Sequence, residues 1–348
     1  KKQTLREIPI NTESIPQGYD ATMGRCFSFT AWRNSYYRAS FVRNGLRSTT
    51  TDSGDGTIVH CWIPSSYSPA KPPLVCIHGF GANTMWQFGP LLSHLAPSFN
   101  LYIPDLIFFG DSYTNRSERS TSFQARCIQS ALFSLLPVNS LPLDLFGLSY
   151  GGFVAYKIAE IFPSMVRRVV LASAGICLKE EDIAEGMFHV KNIEEAVEIL
   201  LPRTPQKIRQ LMKLAFHKPP PLAPSCFLND FIEVMCEEFR HEKRELIYGM
   251  LNERNEEEKL PKSIPQPTLV IWGDDDRIFP IELAHRLIRY YPQNKSQVNT
   301  RFESVSRRHI GNNSNLVIVK NAGHFIPDEK PKELLKHLKA FLLTRNAS

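Results

Sequence analysis

From about residue 55 onward the chain alternates short apolar runs with helical stretches. Thr57–Ile63 reads as an early strand. Pro73–Ile77 (PLVCI) is a continuous apolar run ending in His-Gly, the pattern of a parallel strand covered on both faces. Phe99–Ile103 is the next strand and stops at Pro104-Asp105. Leu141–Phe146 runs straight into Gly147, and Val166–Ala172 follows as another strand. Helical periodicity fills the intervals: Ser122–Leu136 ends at Pro137, and Tyr150–Ile161 is stopped by Pro163. Strand and helix in alternation predict an α/β fold, a mainly parallel central sheet with helices on both faces.

From about Cys177 to Pro261 the rhythm breaks. No convincing central strand appears there, and the helical stretches Ile193–Leu201, Pro205–Phe216 and Asn229–Tyr248 are charged and divided by Pro-rich segments such as PPPLAP. Apolar stripes on such helices must be buried against something. An all-helical insertion in a parallel sheet reads as a cap over the carboxyl edge of the strands, where ligands bind in open α/β sheets. The sheet resumes with Thr268–Trp272, followed by a helix at Ile281–Tyr291, a last strand at Asn315–Val319 and a closing helix at Glu329–Leu343. Pro292–Ser314 is polar and reads as a surface loop. The expected organisation is an N-terminal extension over 1–55, a core over 56–176 and 262–348, and a helical cap over 177–261. The first fifty-odd residues show no clean period.

A chain of 348 residues can bury one large core, or one core and a smaller attached unit. No apolar run reaches the roughly eighteen residues of a membrane span, so no transmembrane segment is expected. The N-terminus, KKQTLREIPINTE, lacks an initiating Met and an apolar core, so it is not an intact signal peptide. The missing Met points to a trimmed chain and leaves open a removed targeting segment. The formal charge of +6 has a local source: Arg33, Arg38, Arg43 and Arg47 lie among Trp32, Tyr36, Tyr37 and Phe41. The plainer reading is a helix packed by its aromatic face with its charges in water. The sharper one is peripheral membrane contact through residues 30–47. No zinc-finger spacing or other nucleic-acid motif is present, so the expected partner is a small-molecule substrate and not nucleic acid.

The seven cysteines are scattered, odd in number and never in a CxxC pattern. Several lie in apolar runs, where cysteine behaves as a small hydrophobe. The expectation is a cytoplasmic or other reducing compartment, with no metal site and no cofactor. N-x-S/T triplets at Asn115, Asn294, Asn312 and Asn346 carry no weight without a secretion signal.

The strongest chemical signal is Gly147-Leu-Ser149-Tyr150-Gly151-Gly152, a G-x-S-x-G pattern between a strand and a helix. In such an elbow a strained turn pushes the serine Oγ out of the sheet edge, and the flanking glycines let strand and helix approach. A serine hydroxyl needs a base, and the base needs an orienting acid. His324, in Asn-Ala-Gly-His-Phe just past the last strand, is the candidate base. His285 and His337 lie inside helices, and His309 sits in the polar loop without a framing motif. For the acid, Trp272-Gly273-Asp274-Asp275-Asp276-Arg277 offers three neighbouring carboxylates among which composition does not choose. Oxyanion donors are expected from the Tyr150 N–H and from the His78-Gly79-Phe80-Gly81 segment after the early strand. His78 itself reads as a structural residue.

His78-Gly-Phe-Gly81, Asp105 with Phe109-Gly-Asp-Ser112, the Ser149 elbow, Gly273-Asp-Asp-Asp276 and Gly323-His324 together resemble the α/β-hydrolase superfamily over roughly residues 55–345. More narrowly the chain resembles plant members of the lid-bearing branch that also holds meta-cleavage C–C hydrolases, epoxide hydrolases and small esterases. The resemblance implies Asp276 as the acid, three residues after the glycine that ends its strand, and Phe80 with Tyr150 as the oxyanion pair. Serine at the nucleophile position disfavours an epoxide hydrolase or dehalogenase. Phe325 stands where meta-cleavage hydrolases commonly carry Trp, and Glu329 where the related acyltransferases carry Asp. The expected activity is hydrolysis of an ester or related acyl bond of a small, largely apolar metabolite. The alternatives are C–C bond hydrolysis of a β-diketone-like substrate and a hydrolase-fold ligand receptor with little turnover.

Overall fold

Along the strands Pro73–Ile77, Leu143–Leu148 and Thr268–Gly273 every side chain is buried, whichever way it points. Leu74 and Cys76 face one cluster, and Val75 and Ile77 face the other. Successive strand side chains alternate between faces, so this pattern requires a covering layer on each side of the sheet. The computed structural model, which describes residues 28–184, 189–221, 223–252, 263–288 and 314–344, supplies both layers.

The described strands are β1 (Leu46–Asp52), β2 (Thr57–Pro64), β3 (Pro73–Ile77), β4 (Asn100–Pro104), β5 (Tyr113–Thr114), β6 (Leu143–Leu148), β7 (Val166–Ala172), β8 (Thr268–Gly273) and β9 (Ser314–Val319). They form one sheet in the order β1-β2-β4-β3-β6-β7-β8-β9, with the short β5 paired to β2. From β4 to β9 neighbours are parallel, while β1 and β2 are antiparallel additions at one edge.

The described helices are α1 (Phe29–Arg43), α2 (Thr84–Leu95), α3 (Thr121–Leu135), α4 (Tyr150–Ile161), α5 (Glu180–Ala184), α6 (Ile193–Leu200), α7 (Pro205–Ala215), α8 (Ser225–Phe231), α9 (Arg240–Asn252), α10 (Ile281–Ile288), α11 (Ile326–Glu329) and α12 (Pro331–Leu342). One face of the sheet is covered by α3, α4 and α10 through Ile128, Val154 and Leu287. The other is covered by α1, α2 and α12 through Phe41, Leu91 and Leu338. Between β7 and β8 every described element is helical, α5 to α9. The mainly parallel sheet with helices on both faces and an inserted helical region is thus as expected.

Several boundaries differ from the sequence reading. Residues 28–52, without a clean period, contain α1 and β1, both ahead of the core boundary expected at residue 56. β1 (LRSTTTD) is polar, and only pairing with β2 makes it a strand. β6 starts at Leu143 because Pro142 has no N–H for the ladder. The single helix expected over Asn229–Tyr248 is broken. α8 ends at Phe231, a π-helical turn spans Ile232–Cys236, and Phe239 takes a positive φ of 52° before α9 begins. The Lys243 ammonium donates to Met235 O at 3.0 Å and so bridges that break. The closing helix is α11 followed by α12, interrupted by Pro331, while α10 is described to Ile288. The loop Pro292–Asn313, with His309, and the triplets at Asn294, Asn312 and Asn346 lie outside the described residues. Cys61, Cys76, Cys127, Cys177 and Cys236 are buried and form no disulfide, while Cys226 is exposed; Cys26 lies outside the described residues.

Candidate active site

Parallel strands deliver their C-terminal ends to one edge. Ile77 of β3 is level with Gly147 of β6, Leu148 with Ala172 of β7, and Gly273 of β8 with Val319 of β9. The loops bearing residues 78–81, 149, 274–279 and 320–325 therefore emerge side by side.

Ser149 sits between β6 and α4 with φ 50° and ψ −119°, a conformation that L-residues rarely adopt. Its N–H donates to Ala172 O at 2.8 Å, which ties the turn to β7. The glycines around it are needed for close approach. A Cβ on Gly151 would strike the carbonyl oxygens of Ile77 and His78, and one on Gly147 would lie 2.5 Å from Gly151 O. The turn leaves Ser149 Oγ 2.8 Å from His324 Nε2. Nδ1 of the same imidazole is 2.9 Å from Asp276 Oδ2. His324 is 8% and Asp276 5% exposed, so this chain of hydrogen bonds is sheltered from bulk water.

The three neighbouring aspartates have separate partners. Asp276 Oδ1 accepts from the N–H groups of Ile278 and Phe279 at 3.0 and 2.8 Å, which turns the carboxylate inward. Asp275 pairs with Arg277 at 2.8 Å and with His217 Nδ1 at 2.9 Å. Asp274 lies 3.6 Å from the Lys320 ammonium. The Trp272 indole N–H donates to Phe279 O at 2.8 Å, and the Phe279 ring meets the His324 ring edge-on at 5.5 Å. His285 and His337 sit half-buried on α10 and α12.

On the other side of Ser149 lies the Gly79–Phe80 loop. Among the described residues, none accepts a hydrogen bond from the Phe80 N–H. Tyr150 opens α4, where the first N–H groups of a helix point out of its end. His78 is held on both ring nitrogens: Nδ1 donates to Gly79 O at 2.7 Å, and Nε2 accepts from the Leu106 N–H at 2.9 Å. Burial pushes its pKa below the usual imidazole value. A neutral ring with both nitrogens engaged has no capacity left to act as a base, in keeping with a structural role. Asp105 braces the same region: Oδ2 meets His60 Nδ1 at 2.7 Å, and Oδ1 accepts from the Thr84 N–H at 2.9 Å.

Two contributors were invisible in the sequence. Gln87 on α2 accepts from the Gly79 N–H through Oε1 at 2.7 Å and returns Nε2–H to Gly79 O at 3.0 Å. This two-point clamp fixes the peptide that precedes Phe80. Glu329 accepts from the Gly323 N–H at 2.6 Å, and from His217 and Lys218 N–H at 3.1 and 3.0 Å. It joins the loop of His324 to the end of α7. No local pattern marks the role of either residue: Gln87 meets Gly79, eight residues earlier, only where the loop after β3 folds back on α2, and Glu329 meets His217 and Lys218 from the insert. Among the described residues, no group of three or more His, Cys, Asp and Glu side chains is placed to hold a metal ion.

Next to this constellation is a small cavity of about 70 Å³, lined by Ile199 and Leu200 of α6, Leu214 of α7, Ile247 of α9, and Ile278 and Phe279. Its lining is apolar apart from few groups such as Arg277. Phe80 also packs against the neighbouring cluster of Val197, Leu201 and Ile247.

Residues 74–337 match the family described as the alpha/beta hydrolase family. The chain belongs to that family. "Lipase 1" of Psychrobacter immobilis is 27% identical over 259 residues, covering 71% of this chain and 74% of the relative. "Monoacylglycerol lipase ABHD6" of Mus musculus is 26% identical over 286 residues, covering 78% of this chain and 76% of the relative. In fold, the chain is similar to lip1 of Acinetobacter baumannii with a TM-score of 0.70 at 21% identity, over 89% of this chain and 95% of that one. These relatives are bacterial and mammalian.

Proposed function

We propose that this alpha/beta hydrolase is a serine hydrolase that cleaves a carboxylic ester of a small, largely apolar molecule, with Ser149, His324 and Asp276 as its catalytic residues. The observation that carries the reading is the continuous hydrogen-bond chain Ser149 Oγ–His324 Nε2 (2.8 Å) and His324 Nδ1–Asp276 Oδ2 (2.9 Å) on a strained turn. Ser149 Oγ attacks the ester carbonyl carbon as its proton passes to His324 Nε2. Asp276 accepts from Nδ1–H, which fixes the tautomer whose Nε2 lone pair faces the serine. The charge that develops on the carbonyl oxygen is met by the N–H groups of Phe80 and Tyr150. His324 then gives its proton to the leaving alkoxide oxygen and the alcohol departs. Water, deprotonated by His324, attacks the acyl-enzyme; the acid leaves and Ser149 is regenerated.

In the same reading the inserted residues 177–261 act as a cap that selects the substrate. The apolar cavity between α6, α7, α9 and the Ile278–Phe279 turn supports this. The Phe325 N–H also donates to Ala215 O at 3.1 Å, so the insert touches the loop of His324 directly. The two relatives named as lipases fit the ester class.

The test is covalent labelling by a fluorophosphonate probe, combined with hydrolysis of p-nitrophenyl esters of graded chain length. Labelling lost in a folded Ser149→Ala variant, with turnover in the wild type, is the expected result. Full labelling of that variant, or a wild type that turns over no ester, would overturn the reading.

A further inference from the structure

A second serine–histidine–aspartate chain runs across β1, β2 and the loop after β4, away from Ser149. Ser48 Oγ lies 2.8 Å from His60 Nε2, and His60 Nδ1 lies 2.7 Å from Asp105 Oδ2. An ionised carboxylate only accepts, so Nδ1 carries the hydrogen, and Nε2 of the neutral ring accepts from the Ser48 O–H. Asp105 Oδ1 is occupied by the Thr84 N–H, as Asp276 Oδ1 is by the N–H groups of Ile278 and Phe279. His60 and Asp105 are each 3% exposed, whereas Ser48 lies on the surface. The chemistry proposed at Ser149 uses neither Ser48 nor His60.

The imidazole is held in place from three sides. The His60 N–H donates to Ser112 Oγ at 2.9 Å, its carbonyl accepts from the Asp105 N–H at 2.9 Å, and its ring meets Trp62 edge-on at 5.8 Å. The same ladder fixes the direction of the Ser48 backbone. Ser65 N–H donates to Gly45 O and Ser53 N–H to Thr57 O, so the odd-numbered residues of β1 bond to β2. Ser48 falls between them, opposite Trp62, in a pair without such bonds. Its N–H therefore faces the outer edge of β1, with which no described strand pairs. That N–H is a single donor beside Oγ for charge developing on an attacked carbonyl oxygen.

We propose that Ser48 is a second nucleophilic serine, a modification site that takes an acyl group from an activated ester. Ser48 Oγ attacks the carbonyl carbon while its proton passes to His60 Nε2. The bond from that carbon to the leaving oxygen breaks, and His60 gives its proton to the departing oxygen. The products are an O-acyl serine and one free alcohol or phenol. With one N–H donor where the chemistry at Ser149 has two, the step is slow and confined to esters with a good leaving group, such as a nitrophenol. The acyl-serine has the poor leaving group of an alkyl ester, so the acyl group stays on Ser48 instead of turning over.

The experiment treats the whole chain, in the Ser149→Ala form so that Ser149 neither consumes the reagent nor takes the acyl group, with p-nitrophenyl acetate. Peptide mass spectrometry over time then gives the acetylation rate at each serine. Ser35 is the internal reference: it is exposed on α1, and its hydroxyl donates to Ala31 O instead of a histidine. Ser48 should be acetylated roughly a hundred-fold faster than Ser35, the size of a general-base contribution. His60→Gln should remove most of that advantage, with circular dichroism confirming the fold. The ratio of Ser48 to Ser35 is read within one protein and needs no buried substitution, so it decides the matter even where His60→Gln does not fold. Acetylation of Ser48 no faster than of Ser35 overturns the proposal, as does an undiminished rate in folded His60→Gln. Either result leaves the reading of Ser149 untouched, because Ser149 is absent from the test.

Discussion

Around Ser149 the loops hang from strands buried on both faces, whereas the helices between β7 and β8 rest on two small apolar clusters and reach the main core through Leu246 of α9. One of these joins Ile208, Ile232, Met235 and Cys236 and leans on Trp86 of α2. The other joins Val197, Leu201 and Ile247 and leans on Phe80. Each insert cluster therefore takes part of its floor from a core aromatic side chain. The difference teaches a division of labour. Rigid strand ends hold reacting atoms to a few tenths of an ångström, while a lightly anchored layer can vary its lining without disturbing them. The seam between the two regions runs through Phe80, Phe325 and Glu329, so the insert is sensed on both sides of Ser149.

The division can be broken first at the core. Ser149→Ala should lower kcat by on the order of 10⁶ with the fold retained, by analogy with protease triads; single-turnover ester hydrolysis with circular dichroism checks it. Asp276→Asn should cost about 10⁴ in kcat, whereas Asp275→Asn should cost less than about tenfold, because only the former orients His324. Equal losses at both positions would mean that the loop acts as a unit. Next comes the Gln87 clamp. Gln87→Ala frees the Gly79 peptide and should lower kcat on the order of 10²-fold with a smaller change in KM, as for a misplaced oxyanion donor. Affinity for a trifluoromethyl ketone, whose adduct bears the oxyanion, should fall in parallel, while the melting temperature should hardly move. The smallest effect belongs to the insert. Ile247→Trp should fill part of the cavity and shift kcat/KM between short and long acyl esters by roughly tenfold. Labelling of Ser149 by a small phosphonate should persist, and an unchanged chain-length profile would remove the insert from substrate selection.

Much of the framework is legible without coordinates. A strand such as PLVCI, apolar at every position, states that both of its faces are covered, and βα alternation then leaves few topologies. The Ser149 turn announces itself because only small residues permit strand and helix to meet there. His324 is legible from its place after the last strand. α1 and β1 are not, for opposite reasons: α1 buries only Thr30, Tyr37 and Phe41 and shows no stripe, while β1 is polar and owes its strand to β2. The break at Ile232–Phe239 is hidden as well, since helical periodicity passes smoothly through it.

By itself the sequence determined the central strands, the parallel sheet and the nucleophile turn, because these follow from local sterics and from the period of apolar positions. Its run of three aspartates, by contrast, is chemically uniform. Only the tertiary structure decided among them, through two backbone N–H groups that turn Asp276 inward and a histidine from the insert that draws Asp275 outward. The clamp of Gln87 on Gly79 and the staple of Glu329 between α7 and the loop of His324 were decided in the same way. Hydrogen bonds between distant segments depend on where chains cross, and no local pattern of side chains encodes a crossing.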